Sequence, residues 1–202
     1  MNMLISAAAA GALVLSIGIA APTRANDAPA VIASAYGCNE ALQSYTFKMD
    51  VAMAMRHFPW FHFHLKGEGI YERGIRYEVH FTSMPGFASR MPRDIDLSMI
   101  DPSMWPKRYR YYEIAQREGD TIFALQSLPA EAQSLKAATI ALNPTFGAHW
   151  VDAEYSDGTH IHMNVSSNLI EGFLLPEALT ASVDYPHMPL SANADFMQYQ
   201  LP

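Results

Sequence analysis

The chain has 202 residues, half of them apolar and 16% charged, with a formal net charge of −7. That length and apolar share suit one domain with a sizeable core, and so low a charged fraction excludes a disordered acidic chain. The acidic balance and the lack of a basic stripe argue against nucleic acid, anionic membrane surfaces and phosphates as partners.

Residues 4–21, "LISAAAAGALVLSIGIAA", carry no charge and are followed by "TRAND", with small residues at Thr23 and Ala25. This pattern predicts a signal peptide over residues 1–25, cleaved after Ala25, with Ala30 as a second candidate. No Lys or Arg precedes the apolar run, so a retained anchor is the alternative, although the run is at the short end for a span. Residues 26–202 are then read as a single domain. Residues 28–43, "APAVIASAYGCNEALQ", are helical in composition, with apolar spacing at Val31, Ile32, Ala35 and Leu42. Cys38 is the only cysteine, so no internal disulfide forms; it reads as a small buried residue of that helix.

From Ser44 the pattern changes to alternation, the signature of antiparallel strands. In the first, Tyr45, Phe47, Met49, Val51, Met53 and Met55 share one face, opposite Lys48, Asp50 and Arg56. In the second, Phe61, Phe63 and Leu65 share a face with Gly67 and Gly69, opposite His62, His64, Lys66 and Glu68. In the third, Tyr77, Val79 and Phe81 lie opposite Arg76, Glu78 and His80. Residues 84–108 break the rhythm and read as a long excursion with a short helix near Pro102 to Trp105; such loops are often lids or binding loops. Asp94, Asp96 and Asp101 within it read as solvated loop charges. Strands resume near 109–117, 121–128, 135–142, 148–155, 159–166, 174–185 and 193–200, making ten in all. No repeat or linker divides the chain.

Two His-x-His pairs, His62/His64 and His160/His162, place imidazoles on one face of a strand. The turn "SDG", residues 156–158, with Gly158 in the left-handed position, pairs Ala153 with Ile161 and Val151 with Met163 on one face. On the other it pairs Glu154 with His160 and Asp152 with His162. These four residues form ordinary cross-strand pairs or, alternatively, a Zn²⁺ or Cu²⁺ site. The turn "ERG", residues 72–74, pairs Leu65 with Phe81, Gly67 with Val79 and Lys66 with His80. Both His pairs fall on polar faces, which moves attention to the apolar face. A sheet of this size has to curl, split or close. Its apolar face either encloses a hydrophobic ligand in a half-open barrel or packs as a sandwich core.

The order of elements, the glycines in the second strand and the ending "GFLLPEALTASVDYPHMPLSANADFMQYQL" resemble the periplasmic outer-membrane lipoprotein-carrier (LolA-like) family and its half-barrel relatives. The local match is Leu175 and Pro176, a strand through Val183, a loop, and a last strand through Tyr199. The resemblance implies a mainly β (α+β) fold: a large curled antiparallel sheet forming a half-open barrel, with an N-terminal helix and a short loop helix covering the concave face. It implies a periplasmic carrier whose partners are lipid or lipoprotein acyl chains and membrane-associated proteins. The dedicated carrier has an arginine that helps close its lid; Arg56 lies in the right region but on the polar parity, and does not inherit that role.

The expected ligand-binding face is Tyr45, Phe47, Met49, Val51, Met53, Met55, Phe61, Phe63, Leu65, Tyr77, Val79, Phe81, Val151, Ile161 and Met163. No G-x-S-x-G, H-E-x-x-H or phosphate-loop motif is present and Cys38 has no histidine partner, so no catalysis and no cofactor are expected. The rival readings are a periplasmic metal-binding protein using the His-x-His pairs, and a closed-core interaction domain that recognises a protein through residues 84–108.

Overall fold

Alternation in the sequence becomes a single sheet of eleven antiparallel strands. The computed structural model describes residues 37, 39–86, 92–128, 135–185 and 188–202. The signal segment, Cys38 and most of the helix expected over residues 28–43 lie outside them. In chain order the strands are β1 (Ser44–Met55), β2 (Phe58–Glu72), β3 (Arg76–Ser83), β4 (Asp94–Asp96), β5 (Tyr109–Arg117), β6 (Asp120–Ser127), β7 (Leu135–Leu142), β8 (Ala148–Tyr155), β9 (His160–Ile170), β10 (Phe173–Tyr185) and β11 (Met188–Gln200). Ten match the expected strands. The additional one, β4, lies inside the excursion and extends the sheet by pairing with β3, Val79 opposite Ile95.

The strand order is β4-β3-β2-β1-β11-β10-β9-β8-β7-β6-β5. Neighbours in sequence are neighbours in space except β4 and β5, and one pairing joins strands distant in sequence. β1 pairs with β11, joining the two ends of the described chain, and the passage from β4 to β5 runs from one edge of the sheet to the other. A flat sheet of eleven strands would be about 48 Å wide. The connection, Leu97 to Arg108, is mostly helical: 3-10 turns at Ser98–Ile100 and Pro102–Met104, then one α-helical turn at Trp105–Arg108. Such a segment reaches about 25 Å. The sheet therefore has to curl until its edges approach, and side chains bridge the gap. Arg108 Nη1 donates to Asp96 Oδ2 at 2.5 Å and Arg108 Nη2 to the carbonyl of Ile75 at 3.1 Å. The two edge strands are not paired with each other, so the barrel stays half open.

The helical connection covers the concave face near the place expected from the sequence. Leu97, Met99, Ile100, Met104 and Trp105 are buried, Trp105 completely, and its indole Nε1 donates to the carbonyl of Met99. The second half of the excursion is thus turned inward and is not a free recognition loop. Trp105 packs edge-on against Phe123 of β6, with ring centroids 5.4 Å apart.

Register is as expected at the β8–β9 hairpin: Val151, Asp152, Ala153 and Glu154 face Met163, His162, Ile161 and His160, and Gly158 has a positive φ of 85°. At β2–β3 the register differs from the expected one by two residues. Glu72 pairs with Arg76, Glu68 with His80, Gly67 with Phe81 and Gly69 with Val79. The loop is Arg73-Gly74-Ile75, because the left-handed residue, Gly74 at φ 64°, sits in its middle. This register sets Glu72 beside Arg76 at 2.6 Å and removes the Glu68–Glu78 opposition of the alternative. A shift of two leaves every side chain on its expected face.

Candidate functional site

The concave face is built from cross-strand pairs. From β2 through β1 to β11 the rows read Leu65–Val51–Ala194 and Phe63–Met53–Ala192. Ala192 continues through Ala181 of β10 and Met163 of β9 to Val151 of β8. One row further out, Met55 leads through Leu190, Val183 and Ile161 to Ala153. Every residue of the expected ligand-binding face except Phe61 joins this one hydrophobic cluster. Phe61 stands at its rim, 37% exposed, with its ring edge-on to Phe63.

Burial divides the face into two zones. Tyr45, Phe47, Met49, Val51, Met53, Leu65, Tyr77, Val79, Phe81 and Val151 are buried. Met55, Phe63, Ile161, Met163, Ala181 and Val183 are only partly covered. The partly covered residues lie in two groups at the end of the barrel marked by the β1–β2 turn, Met55 with Phe63 and Ile161, Met163, Ala181 with Val183, separated by the buried Met53, Leu190 and Ala192. This end is the mouth. Beyond Phe61 its lip carries Phe58 and Trp60, stacked edge-on at 5.5 Å, with Trp60 74% exposed. Arg56 at the turn is paired with Asp184 across the sheet.

The opposite end is closed by an aromatic cluster. Tyr45 stacks on Tyr71 at 4.6 Å, and Tyr77 meets Tyr71 edge-on at 5.3 Å. Phe47 packs against Phe196 and Tyr199 of β11, at 5.4 and 5.7 Å. Strict alternation cannot place Phe196 and Tyr199 on one face. The chain does so with a bulge at Gln198, whose φ is 53°, so that Lys48 pairs with Met197 but Thr46 with Gln200. Tyr199 then donates its hydroxyl to the carbonyl of Pro176.

Asp101, read from the sequence as a solvated loop charge, is instead drawn into this end of the barrel. Its Oδ1 accepts from the Ser103 amide and its Oδ2 from the Ser103 hydroxyl, at 2.9 and 2.6 Å, while Ser103 Oγ also meets Tyr71 Oη at 3.1 Å. Burial pushes the Asp101 carboxyl above its ordinary range, against the hydrogen bonds from Ser103 and the charge of Arg73, which favour its ionised form. Burial likewise raises the phenols: Tyr71 to about 12, and Tyr45 and Tyr77 well above the usual value. Asp94 and Asp96 do behave as surface charges, paired with His80 and Arg108. Nothing in the local pattern distinguished Asp101 except its place beside Pro102 and the buried Trp105.

A cavity of about 60 Å³ lies at this closed end, lined by Tyr45, Tyr71, Tyr77, Asp101, Asn39 and Ser167 among others. At about 30 Å³ per water it has room for about two.

His62, His64, His160 and His162 are exposed on the convex face, as expected. His162 Nδ1 lies 2.6 Å from Asp152, His80 Nδ1 2.7 Å from Asp94 and His149 Nδ1 2.7 Å from Asp120, all with exposed imidazoles. Glu154 faces His160 across the hairpin, but its carboxylate is taken by Lys136 at 2.6 Å, which holds it below the usual range. Among the described residues no three His, Cys, Asp or Glu side chains converge as a metal ion requires. Among them, too, no helix is long and apolar enough to cross a membrane.

No protein-family model matches the chain, and no curated protein matches it in sequence. Solved structures are similar to it in fold. A LolA superfamily protein of Nitrosomonas europaea superposes with a TM-score of 0.61 at 10% identity, over 87% of this chain and 93% of that one. A DUF1329 family protein of Desulfovibrio piger gives 0.61 at 10% identity, over 86% and 92%. A putative outer membrane lipoprotein-sorting protein domain of Vibrio parahaemolyticus gives 0.55 at 7% identity, over 86% and 93%. The chain has a LolA-like fold, a half-barrel of antiparallel strands closed on its concave side by helical turns.

Proposed function

We propose that this protein is an exported, non-catalytic carrier that shelters a lipophilic ligand, an acyl chain, lipid or lipoprotein, against its concave face. The observation that carries the reading is the partly covered apolar surface of Met55 and Phe63 on one side and Ile161, Met163, Ala181 and Val183 on the other, at the mouth. It is continuous with the buried rows behind it and has no polar interruption on its face. Apolar surface left half open in a fold of this kind gains about 25 cal/mol per Å² when a ligand covers it, before ordering costs. Methionines at positions 49, 53, 55, 99, 104 and 163 suit such a surface, because the thioether adapts to variable apolar shapes.

The fold likeness to a lipoprotein-sorting domain supports the same reading and favours a periplasmic setting, with residues 1–25 as the signal peptide and 26–202 as the carrier domain. The cavity at the closed end is too small for an acyl chain, so loading requires the helical turns over residues 97–108 to shift outward. Such a shift has to release the buried Trp105 from Phe123 and the Ser103 contact with Tyr71, besides the bonds at the C-terminal end from Lys107 to the Gly74 carbonyl and from Arg108 to Asp96.

The test is uptake of a hydrophobic fluorescent probe by Phe63→Glu and Met163→Glu. Both positions are partly exposed, so a carboxylate there is expected to reach solvent and leave the fold intact. Each substitution is expected to weaken uptake about tenfold or more, equivalent to about 1.4 kcal/mol, while circular dichroism stays unchanged. Undiminished uptake in both folded variants contradicts the proposal.

A further inference from the structure

The tip of the β1–β2 hairpin is built unlike the rest of the sheet. The ladder pairs Ala54 with His62 but Met55 with Phe58, so residues 59–61 have no counterpart on β1 and form a bulge. On its other side β2 pairs with β3 only from Lys66 onward, so the tip stands beyond that neighbour too. The bulge carries Trp60 and Phe61, and Phe58 precedes it; all three are exposed, Trp60 most of all. Single exposed apolar residues are ordinary, whereas large ones grouped at one projection mark an interaction surface. Charge also sets the tip apart. Residues 51–67 contain no Asp or Glu, in a chain of net charge −7. Their ionisable groups are Arg56, His57, His62, His64 and Lys66. The carboxylates that reach them are paired: Asp184 of β10 with Arg56, and Asp50, which faces Lys66 across the ladder and lies 3.6 Å from His64.

We propose that this hairpin tip docks the protein on the surface of a phospholipid bilayer, with Trp60 and Phe58 entering the head-group region. Tryptophan is favoured at that boundary because its ring is apolar and its indole N–H is polar. Among the described residues the tip brings no unpaired carboxylate to a surface of phosphates, while the acidic balance of the chain as a whole keeps its other faces away. Three exposed aromatic side chains are few for a protein partner, since stable protein interfaces take roughly 20–30 residues a side. They suffice for a weak, reversible hold on a bilayer, whose strength scales with the apolar area buried. The tip also adjoins the mouth. Met55 pairs with Phe58, and Phe61 lies edge-on to Phe63, so an acyl chain leaving the bilayer reaches the concave face over apolar surface. That use of the contact rests on the carrier reading; the contact itself does not.

The experiment is co-sedimentation of the exported protein with vesicles of phosphatidylethanolamine and phosphatidylglycerol, read together with quenching of tryptophan fluorescence by brominated acyl chains in the same vesicles. The wild type is expected to bind and to be quenched. Trp105 is buried and Trp150 lies half-buried on β8, so the quenched signal reads Trp60. Phe58→Ser combined with Trp60→Ser is expected to lower the partition constant about tenfold or more, and Trp60→Ser alone to abolish quenching. Both positions are exposed, and the two remaining tryptophans report that the fold is kept. His57→Glu combined with His62→Glu adds carboxylates at the tip without touching the rings. It is expected to lower partitioning about fivefold on these vesicles and less on phosphatidylcholine alone. Uptake of a hydrophobic probe in the absence of vesicles is expected to be unchanged in the Phe58→Ser, Trp60→Ser variant. If the wild type does not sediment, or if that variant sediments as well as the wild type, the docking assignment is overturned and the carrier reading is untouched. If the variant loses probe uptake as well, the tip belongs to the ligand site and the docking assignment is again overturned. Vesicle binding that depends on the tip, in a protein that takes up no probe, upholds the docking and removes the carrier reading.

Discussion

Phe47 lies across Gly69 on the neighbouring strand, and the two depend on each other. A Cβ at position 69 would sit 2.0 to 2.4 Å from atoms of the Phe47 ring. The ring has nowhere to retreat, because Tyr45, Tyr77, Phe196 and Tyr199 all pack against it. Gly69→Ala is therefore an overpacking substitution and is expected to cost about 1–3 kcal/mol in urea unfolding. In the Phe47→Leu background the same change is expected to cost much less, since the smaller side chain leaves room for the methyl. Equal costs in both backgrounds would show that the ring does not set the need for glycine. The same cluster shows where single residues were unreadable in the sequence. Tyr45 and Tyr77 fall on the apolar parity and were legible as core. Tyr199 joins them only through the bulge at Gln198, and Asp101 only because the chain around it folds inward.

Among the elements, strands were legible and their long-range partners were not. A period of two assigns faces without knowledge of the neighbours, and it assigned those of β1, β2, β3, β8 and β9 correctly. The β8–β9 register followed from turn chemistry. The β2–β3 register came out two residues off because Gly74 was taken as the last turn residue, where it is the middle one. The three-residue strand β4 was invisible, since so short a segment carries no period of its own. The helical turns after it matter most to the account. They bind the two sheet edges and bury Trp105 completely against Phe123 and Tyr111. Trp105→Ala is expected to lose about 3–5 kcal/mol of stability, the usual range for a large buried aromatic, read as a lowered urea midpoint. A loss under 1 kcal/mol would mean that the cover is not held by this side chain.

At the level of the whole molecule, two ends of one half-barrel differ in character. The mouth is apolar, partly covered and rimmed by Phe58, Trp60 and Phe61; the closed end is aromatic, hydroxyl-rich and holds Asp101. Curvature was expected from the number of strands and from the family resemblance, and the half-open barrel bears that out; the connection that joins opposite edges of the sheet was not legible. The apolar face that the curvature encloses was legible, and so was the placement of both His-x-His pairs outside it. The most direct test of the carrier reading is native mass spectrometry of the protein purified from the periplasm of an expressing host, paired with denaturing spectra of the same sample. The account predicts added mass in the lipid range on a chain beginning at Asn26, lost on denaturation. A bare chain mass that stays bare after incubation with monoacylglycerol or diacylated lipopeptide would contradict it.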